Sequence, residues 1–287
     1  MIVLVTGGNG QLGSDLVAAF RADGHEVIAA THADIEVSDP ASVQSAMARW
    51  RPSILVNTAA FHHVDRCETE PMEAYRVNAV GALTVARGCR HSDALLIHLS
   101  TDYVFDGRKG TDYTEEDIPN PLSVYGCSKL AGEQAIRAVG GRWIVVRTSG
   151  LYGSHPCRAK GGLNFVQLML KLGRERGEVK AVVEEITAPT YTLDLARQIV
   201  TLAAAEALGI FHAASHGSCS WHDYAIEIFR LAQMDVKVRP ATSADFPSKA
   251  PRPAHSVLAN ARLAAAGLDQ MRPWREALRE YLQPANS

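Results

Sequence analysis

The stretch Ile2-Val3-Leu4-Val5-Thr6-Gly7-Gly8-Asn9-Gly10-Gln11-Leu12-Gly13 decides the fold. Its first five residues read as a buried strand. Gln11–Asp23 reads as a helix, with Leu12, Leu16, Val17 and Phe20 on one face. Gly7, Gly10 and Gly13 fall between the two. Glycines there let the backbone turn tightly and approach a pyrophosphate, which the positive end of the helix then stabilises. A glycine triplet alone says little. Its place between a strand and an amphipathic helix gives it meaning.

Working outward, the alternation continues. Val27–Ala30, Ile54–Asn57, Leu95–Leu99 and Trp143–Arg147 read as strands. Helices are expected from Asp39-Pro40 to Trp50, over Glu73–Arg90 and within Pro121–Val139. Asp39 suits the cap and Pro40 the first helical position. Strands separated by helices predict an α/β fold, a Rossmann-type doubly wound parallel sheet. Regularity falls after Tyr152. A loop is expected over Ser154–Gly162, and helices near Asn164–Arg174, Tyr191–Ala207, Trp221–Ala232 and Trp274–Tyr281. Short strands are expected at Val179–Val183 and Gly209–His212, and a loop with three prolines at Asp245–Pro253. The division expected is a nucleotide-binding domain over 1–152 and a smaller α+β substrate lobe over 153–287. The chain should return to the sheet around 180–215.

Composition sets the frame. The 287 residues are 47% apolar and 21% charged, with a net charge of −2, so neither a nucleic-acid nor a membrane partner is expected. The longest apolar runs are of strand length, short of the roughly 20 residues a membrane span needs. Met1 leads directly into the first strand, so no signal peptide is expected and the location expected is cytoplasmic. The five cysteines are odd in number and widely spaced, which suits reduced thiols.

Tyr125-Gly126-Cys127-Ser128-Lys129 places Tyr125 and Lys129 on one face at the start of a helix. A phenol with a pKa near 10 is a poor proton donor or acceptor at neutral pH, and a nearby ammonium is expected to lower it. Ser100-Thr101 ends the fourth strand, at the carboxyl edge where such sheets bind ligands. A hydroxyl there can hold a substrate carbonyl oxygen beside Tyr125.

Glycine loop, strand-end threonine and Tyr-x-x-x-Lys, in this order, resemble the extended short-chain dehydrogenase/reductase family. Longer stretches resemble its dTDP-4-dehydrorhamnose reductase branch: 57–68, Ser100-Thr101-Asp102-Tyr103-Val104-Phe105-Asp106-Gly107, Arg147-Thr148-Ser149, Ala188-Pro189-Thr190, Asp194-Leu195-Ala196, Trp221-His222-Asp223-Tyr224-Ala225 and Arg252-Pro253. The likeness covers nearly the whole chain. It implies reduction of a nucleotide-linked 4-keto-6-deoxy sugar, dTDP-4-dehydro-L-rhamnose foremost, by NADPH or NADH. Thr101, Tyr125 and Lys129 would be catalytic. The cofactor would meet Gly7, Gly10, Gln11, Leu12, Gly13, Ala59, Ala60, Phe61, Asn78, Ser100, Tyr125 and Lys129. The substrate would meet Val64, Thr101, Asp102, Tyr103, Asn164 and Arg252, though Asn164 also suits a helix cap.

Departures leave the sugar open. Gly150 stands where the branch usually has Trp, and Glu184-Glu185 where it has Asp-Gln. A different nucleotide-linked keto sugar is the alternative. So is a non-catalytic regulatory subunit of the methionine adenosyltransferase type, which resembles the same family. The end of the second strand, Ala29-Ala30-Thr31-His32, lacks the acid that favours NADH, which speaks for NADPH; it also lacks an Arg, which speaks against. His32 could meet a 2′-phosphate. Adjacent His62 and His63 lack a carboxylate cluster, so no metal is expected. A homodimer is compatible with this reading.

Overall fold

Val3, Leu4 and Val5 have no exposed surface, and the four residues of the third strand are all buried. Strands apolar on both faces belong inside a parallel sheet covered on each side. The computed structural model, which describes residues 1–157, 161–246 and 248–283, has this arrangement. β1 (Ile2–Thr6) leads to α1 (Gln11–Ala22), β2 (Glu26–Ala30), α2 (Pro40–Trp50), β3 (Ile54–Asn57) and α3 (Val64–Thr69). Then come α4 (Pro71–Tyr75), a π-turn (Arg76–Val80), α5 (Gly81–His91), β4 (Leu95–Thr101), α6 (Val124–Val139) and β5 (Trp143–Thr148). Asp39 caps α2 by accepting from Ala41 N at 2.9 Å.

The second half runs β6 (Leu151–Tyr152), α7 (Phe165–Arg176), β7 (Glu178–Val182), β8 (Ile186–Thr187), β9 (Thr190–Tyr191), α8 (Thr192–Ala204) and β10 (Gly209–His212). β11 (Cys219–Ser220), α9 (Trp221–Leu231), β12 (Lys237–Ala241), α10 (Ala261–Ala265) and α11 (Trp274–Leu282) complete it. The main sheet has six parallel strands in the order β10-β5-β4-β3-β1-β2. The order reverses at β1, so a cleft opens beyond the ends of β1 and β3, at Thr6 and Asn57. Leu12, Leu16 and Phe20 of α1 pack with Leu195, Ile199 and Leu202 of α8 on one face. Val43, Met47, Val85 and Ile136, from α2, α5 and α6, cover the other. A separate aromatic core, including Tyr152, Tyr191, Tyr224, Phe229 and Trp274, holds α7, α9 and α11 together.

One expectation is corrected. The helix expected over Glu73–Arg90 begins at Pro71 and is broken by the π-turn. Periodicity cannot register one extra residue in a turn. Here it brings the Asn78 carbonyl against Gly132, where any side chain would overlap it. β12, paired parallel to β7, and the short α10 were not expected. β12 contains Pro240 and is largely exposed, so its composition hides it. Residues 158–160 of the expected Ser154–Gly162 loop, and Pro247, lie outside the described residues.

Candidate active site

The glycine loop is built for close approach. Gly7 has φ +66°, and a Cβ on it would stand 2.7 Å from Thr58 Oγ1. Any side chain on Gly13 would overlap the Gly7 carbonyl. Gly8, which the spacing argument passed over, lies so close to β2 that a Cβ would be 2.7 Å from Ala29 Cα. Gly10 caps α1 with no side-chain hydrogen bond, and the first turn holds no acid. The N-terminal N–H groups of a twelve-residue helix are thus left for an anion, which fits a dinucleotide pyrophosphate. Leu12 is 6% exposed and belongs to the core, so only its main chain can serve a cofactor. Gln11 Nε2 donates to His155 O at 3.4 Å.

Ala59, Ala60 and Phe61 form a half-buried wall beyond β3. Asn78 fixes it. Its Oδ1 accepts from Phe61 N at 2.9 Å, and its Nδ2 donates to Phe61 O at 3.0 Å and Ser128 Oγ at 2.9 Å. Asn78 is 1% exposed, so the expected cofactor contact is corrected to a role in holding the wall.

Ser123 starts α6 by accepting from Gly126 N at 3.2 Å, which puts Tyr125 in its first turn and Lys129 one turn later. The Thr101 hydroxyl hydrogen-bonds Tyr125. It also donates to Asp102 Oδ1 at 3.0 Å and accepts from Tyr103 N at 3.1 Å. Loss of water raises the Tyr125 phenol above its ordinary value, and Thr101 opposes this. The expected lowering by Lys129 is thereby corrected. Lys129 Nζ donates instead to Leu99 O at 2.5 Å and lies 3.4 Å from His98 Nε2. Burial lowers Lys129 to about 8, with Glu133 opposing.

Other expected residues fall into place around this centre. Asp102 is 4% exposed; burial pushes it up to about 6 against hydrogen bonds from Ser256 and Thr101. Tyr103 meets the Tyr125 ring edge-on at 5.9 Å. The Ser100 hydroxyl donates to Glu133, which pairs with Arg147 at 2.6 Å, so a cofactor contact is left to its main chain. Val64 opens α3, beside Asp65. Asp65 ties down the segment leading to Arg252: Ser248 Oγ donates at 2.5 Å, Lys249 N at 3.1 Å and Ala250 N at 3.2 Å, and Arg252 lies at 3.8 Å. Asn164 accepts from Gln167 N at 3.0 Å and donates to Gly153 O at 2.8 Å and Tyr281 OH at 3.2 Å. Its oxygen caps α7, both its amide hydrogens are taken by Gly153 and Tyr281, and it is 3% exposed, which corrects the expected diphosphate contact. Gly150 has φ +55° and would place a Cβ 3.1 Å from Pro189 Cα.

Sequence reasoning passed over His98, Asn57, Asp65 and Gly8. His98 left a signal, as a polar residue inside the apolar strand Leu95–Thr101.

A Rossmann sheet with an open helix terminus, and Thr101, Tyr125 and Lys129 at its carboxyl edge, define an NAD(P)-dependent oxidoreductase of the short-chain type. The chain belongs to the family described as RmlD substrate binding domain, whose model matches residues 1–287. It is 41% identical over 284 residues to dTDP-4-dehydrorhamnose reductase of Streptomyces griseus, covering 96% of this chain and 91% of that one. It is 39% identical to dTDP-4-keto-6-deoxy-D-glucose reductase of Streptomyces niveus, covering 99% and 97%. The crystal structure of dTDP-4-dehydrorhamnose reductase from Bacillus anthracis strain Ames in complex with NADP superposes with a TM-score of 0.93, at 36% identity and 98% coverage of each chain. No helix among the described residues is long and apolar enough to cross a membrane.

Proposed function

We propose that this protein reduces the 4-keto group of a nucleotide-linked 6-deoxy sugar, dTDP-4-dehydro-L-rhamnose foremost. The observation that carries the reading is the hydrogen bond between Thr101 and Tyr125 at the carboxyl edge of the sheet, one helical turn from Lys129. Gly7, Gly10 and Gly13 would hold the pyrophosphate of a reduced nicotinamide dinucleotide and the 59–61 wall would line its cleft; that cofactor, when bound, would supply the hydride. Tyr125 carries its proton at neutral pH, more firmly so because burial raises the phenol, and passes it to the more basic alkoxide that forms. Thr101, whose hydroxyl proton rests on Asp102, turns it to the same oxygen as charge develops there. Lys129 holds the nicotinamide ribose. Asp102 orients Thr101, and Arg252, steered by Asp65, meets the substrate diphosphate. In this reading residues 1–152 and the return through α8 and β10 bind cofactor, and most of 153–287 binds sugar.

NADPH is the favoured cofactor. Asp34, the first acid after β2, turns back so that its Oδ2 accepts from Thr31 N at 2.8 Å and Thr31 Oγ1 at 2.7 Å, which ties it to its own turn. His32, and Arg76 reaching over from the π-turn, share Glu36 at 2.7 and 3.3 Å and bring an imidazole and a guanidinium to that rim. The test is loss of NADPH or NADH absorbance against a panel of nucleotide-linked keto sugars. Turnover with a 4-keto-6-deoxy sugar is expected, faster with NADPH. No turnover with any keto sugar would overturn the reading.

A further inference from the structure

The first turn of α6 carries the proton donor of the proposed reaction, and part of what holds that turn comes from far away in the chain. A helix leaves its first N–H groups without partners inside itself. Ser123 takes one of them, the Gly126 N–H, at 3.2 Å. The Val124 N–H, one residue before Tyr125, is taken by a side chain 56 residues away: it donates to Glu68 Oε1 at 2.8 Å. A carboxylate there also suits the positive end of the α6 dipole. Glu68 lies half-buried on α3, three residues after Asp65, a spacing that makes the two carboxylates neighbours on one face. Asp65 accepts from Ser248, Lys249 and Ala250. Between the two carboxylates Cys67, which has no exposed surface, donates from Sγ to Phe61 O at 3.5 Å. This six-residue helix is thereby tied at once to the turn of Tyr125, to the wall beyond β3 and to the segment leading to Arg252.

We propose that Glu68 is a positioning residue for the reduction: through the Val124 N–H it sets where Tyr125 stands against Thr101, and it refers that turn to the same short helix that, through Asp65, sets Arg252. The proposed reaction needs such a link. The substrate's diphosphate meets Arg252 and its carbonyl oxygen meets Tyr125, so the span between these two groups in the protein must match a span fixed by the substrate. A misplacement of about 1 Å at a reacting group can cost roughly 100-fold in rate. The other ties of this turn cannot supply the link. The Ser123 cap belongs to α6 and moves with it. Gly126 lets the turn lie close against the Tyr103 carbonyl, and its missing side chain permits an approach without attaching anything. The Glu68 hydrogen bond is the attachment, and its charged acceptor makes it stronger than a neutral one. What the role requires is an acceptor oxygen at that distance, so an amide of the same length can fill it.

The inference rests on Tyr125 serving the proposed reduction, and its test has one arm independent of that reading. Amide hydrogen exchange of the full chain labelled with 15N follows the Val124 N–H itself. In Glu68→Ala this amide should exchange about tenfold faster than in the wild type, the equivalent of one lost hydrogen bond, while amides of β1 and β3 keep their rates. In Glu68→Gln the slow rate should return. Equal exchange in the wild type and Glu68→Ala overturns the tie whatever the enzyme reduces. Steady-state kinetics and fluorescence titration test what the tie does. Glu68→Ala should lower kcat about tenfold or more, with KM for the nucleotide sugar and NADPH affinity within about twofold of wild type. Glu68→Gln should keep most of the wild-type kcat. The split between kcat and KM separates positioning from simple support of α3: a loosened α3 would release Asp65 too, and KM would rise as in Asp65→Ala. A rise in KM of that size, or Glu68→Gln as slow as Glu68→Ala, overturns the positioning role. If Glu68→Ala does not fold, Glu68→Asp, whose carboxylate falls one methylene short of Val124, takes its place with the same expectations. Absence of turnover in the wild type refutes the reaction and leaves the exchange result standing.

Discussion

The main chain of Gly126 lies against that of Tyr103 so closely that a Cβ on Gly126 would overlap the Tyr103 carbonyl oxygen. This contact seats the first turn of α6 on the Thr101–Tyr103 turn and so brings Tyr125 to Thr101. Gly126→Ala should push the two apart. Overpacking of this kind costs about 1–3 kcal/mol, and a displacement near 1 Å can cost roughly 100-fold in rate. We expect thermal stability to fall and kcat to drop at least tenfold, about the low end of such effects, with NADPH affinity nearly unchanged. A Gly126→Ala enzyme with wild-type kcat would show that the contact does not place Tyr125.

Tyr125→Phe removes the proton donor and keeps the ring that meets Tyr103 at 5.9 Å. Turnover should fall by roughly 10²–10⁴-fold, the span of a lost general acid. Fluorescence titration should give unchanged NADPH binding, because the glycine loop and the 59–61 wall are untouched. Wild-type turnover would remove Tyr125 from the reaction.

These two side chains were legible in the sequence because their meaning lies in short spacings. The glycine loop, the strand-end Thr101 and the Tyr125–Lys129 pair each occupy one strand or one helix turn. The parallel, doubly wound sheet follows from the alternation of strands and helices. What escaped depends on contacts between distant segments. Asn78 meets Phe61 and Ser128 only because a π-turn rotates it inward. Asn164 looks alike in sequence as a cap or as a ligand, and its partners Gly153 and Tyr281 decide between the two. Lys129 was expected to face Tyr125, as the four-residue spacing allows. Burial under β4 offered it the Leu99 carbonyl and His98 instead.

Asp102 should make stability depend on pH in the sense opposite to most carboxylates. Burial raises it from 3.8 to about 6, opposed by hydrogen bonds from Ser256 and Thr101. The folded state therefore holds the proton more tightly than the unfolded one. Its contribution is fully present below about pH 4 and is lost as pH rises through about 6, to a limit near 3 kcal/mol at 1.36 kcal/mol per unit. Asp102→Asn abolishes this term. Urea unfolding of both proteins at several pH values checks it: the variant should gain stability relative to wild type between about pH 4 and 6. A constant difference across that window would show that Asp102 titrates normally.

The contact of Asp65 with the segment leading to Arg252 yields the last prediction. Asp65 accepts from Ser248 Oγ, Lys249 N and Ala250 N and lies 3.8 Å from Arg252. One carboxylate on α3 thus anchors a segment of the other half of the chain beside Val64. Arg252 keeps 37% of its side chain exposed, so it is held without being used up, as a ligand for an incoming anion must be. Hydrogen bonds to charged groups contribute about 1.5–3 kcal/mol, which is roughly a 10- to 100-fold change in binding. Arg252→Ala should raise KM for the nucleotide sugar by about that much, with a smaller effect on kcat. Asp65→Ala should raise KM in the same direction, because the anchored segment loses its main tie. Because Asp65 acts through Arg252, the double variant should cost less than the two single effects combined. Steady-state kinetics of the four proteins, with NADPH saturating, decide the matter. Fully additive effects, or a loss confined to kcat, would place the diphosphate elsewhere and leave Asp65 as a structural tie alone.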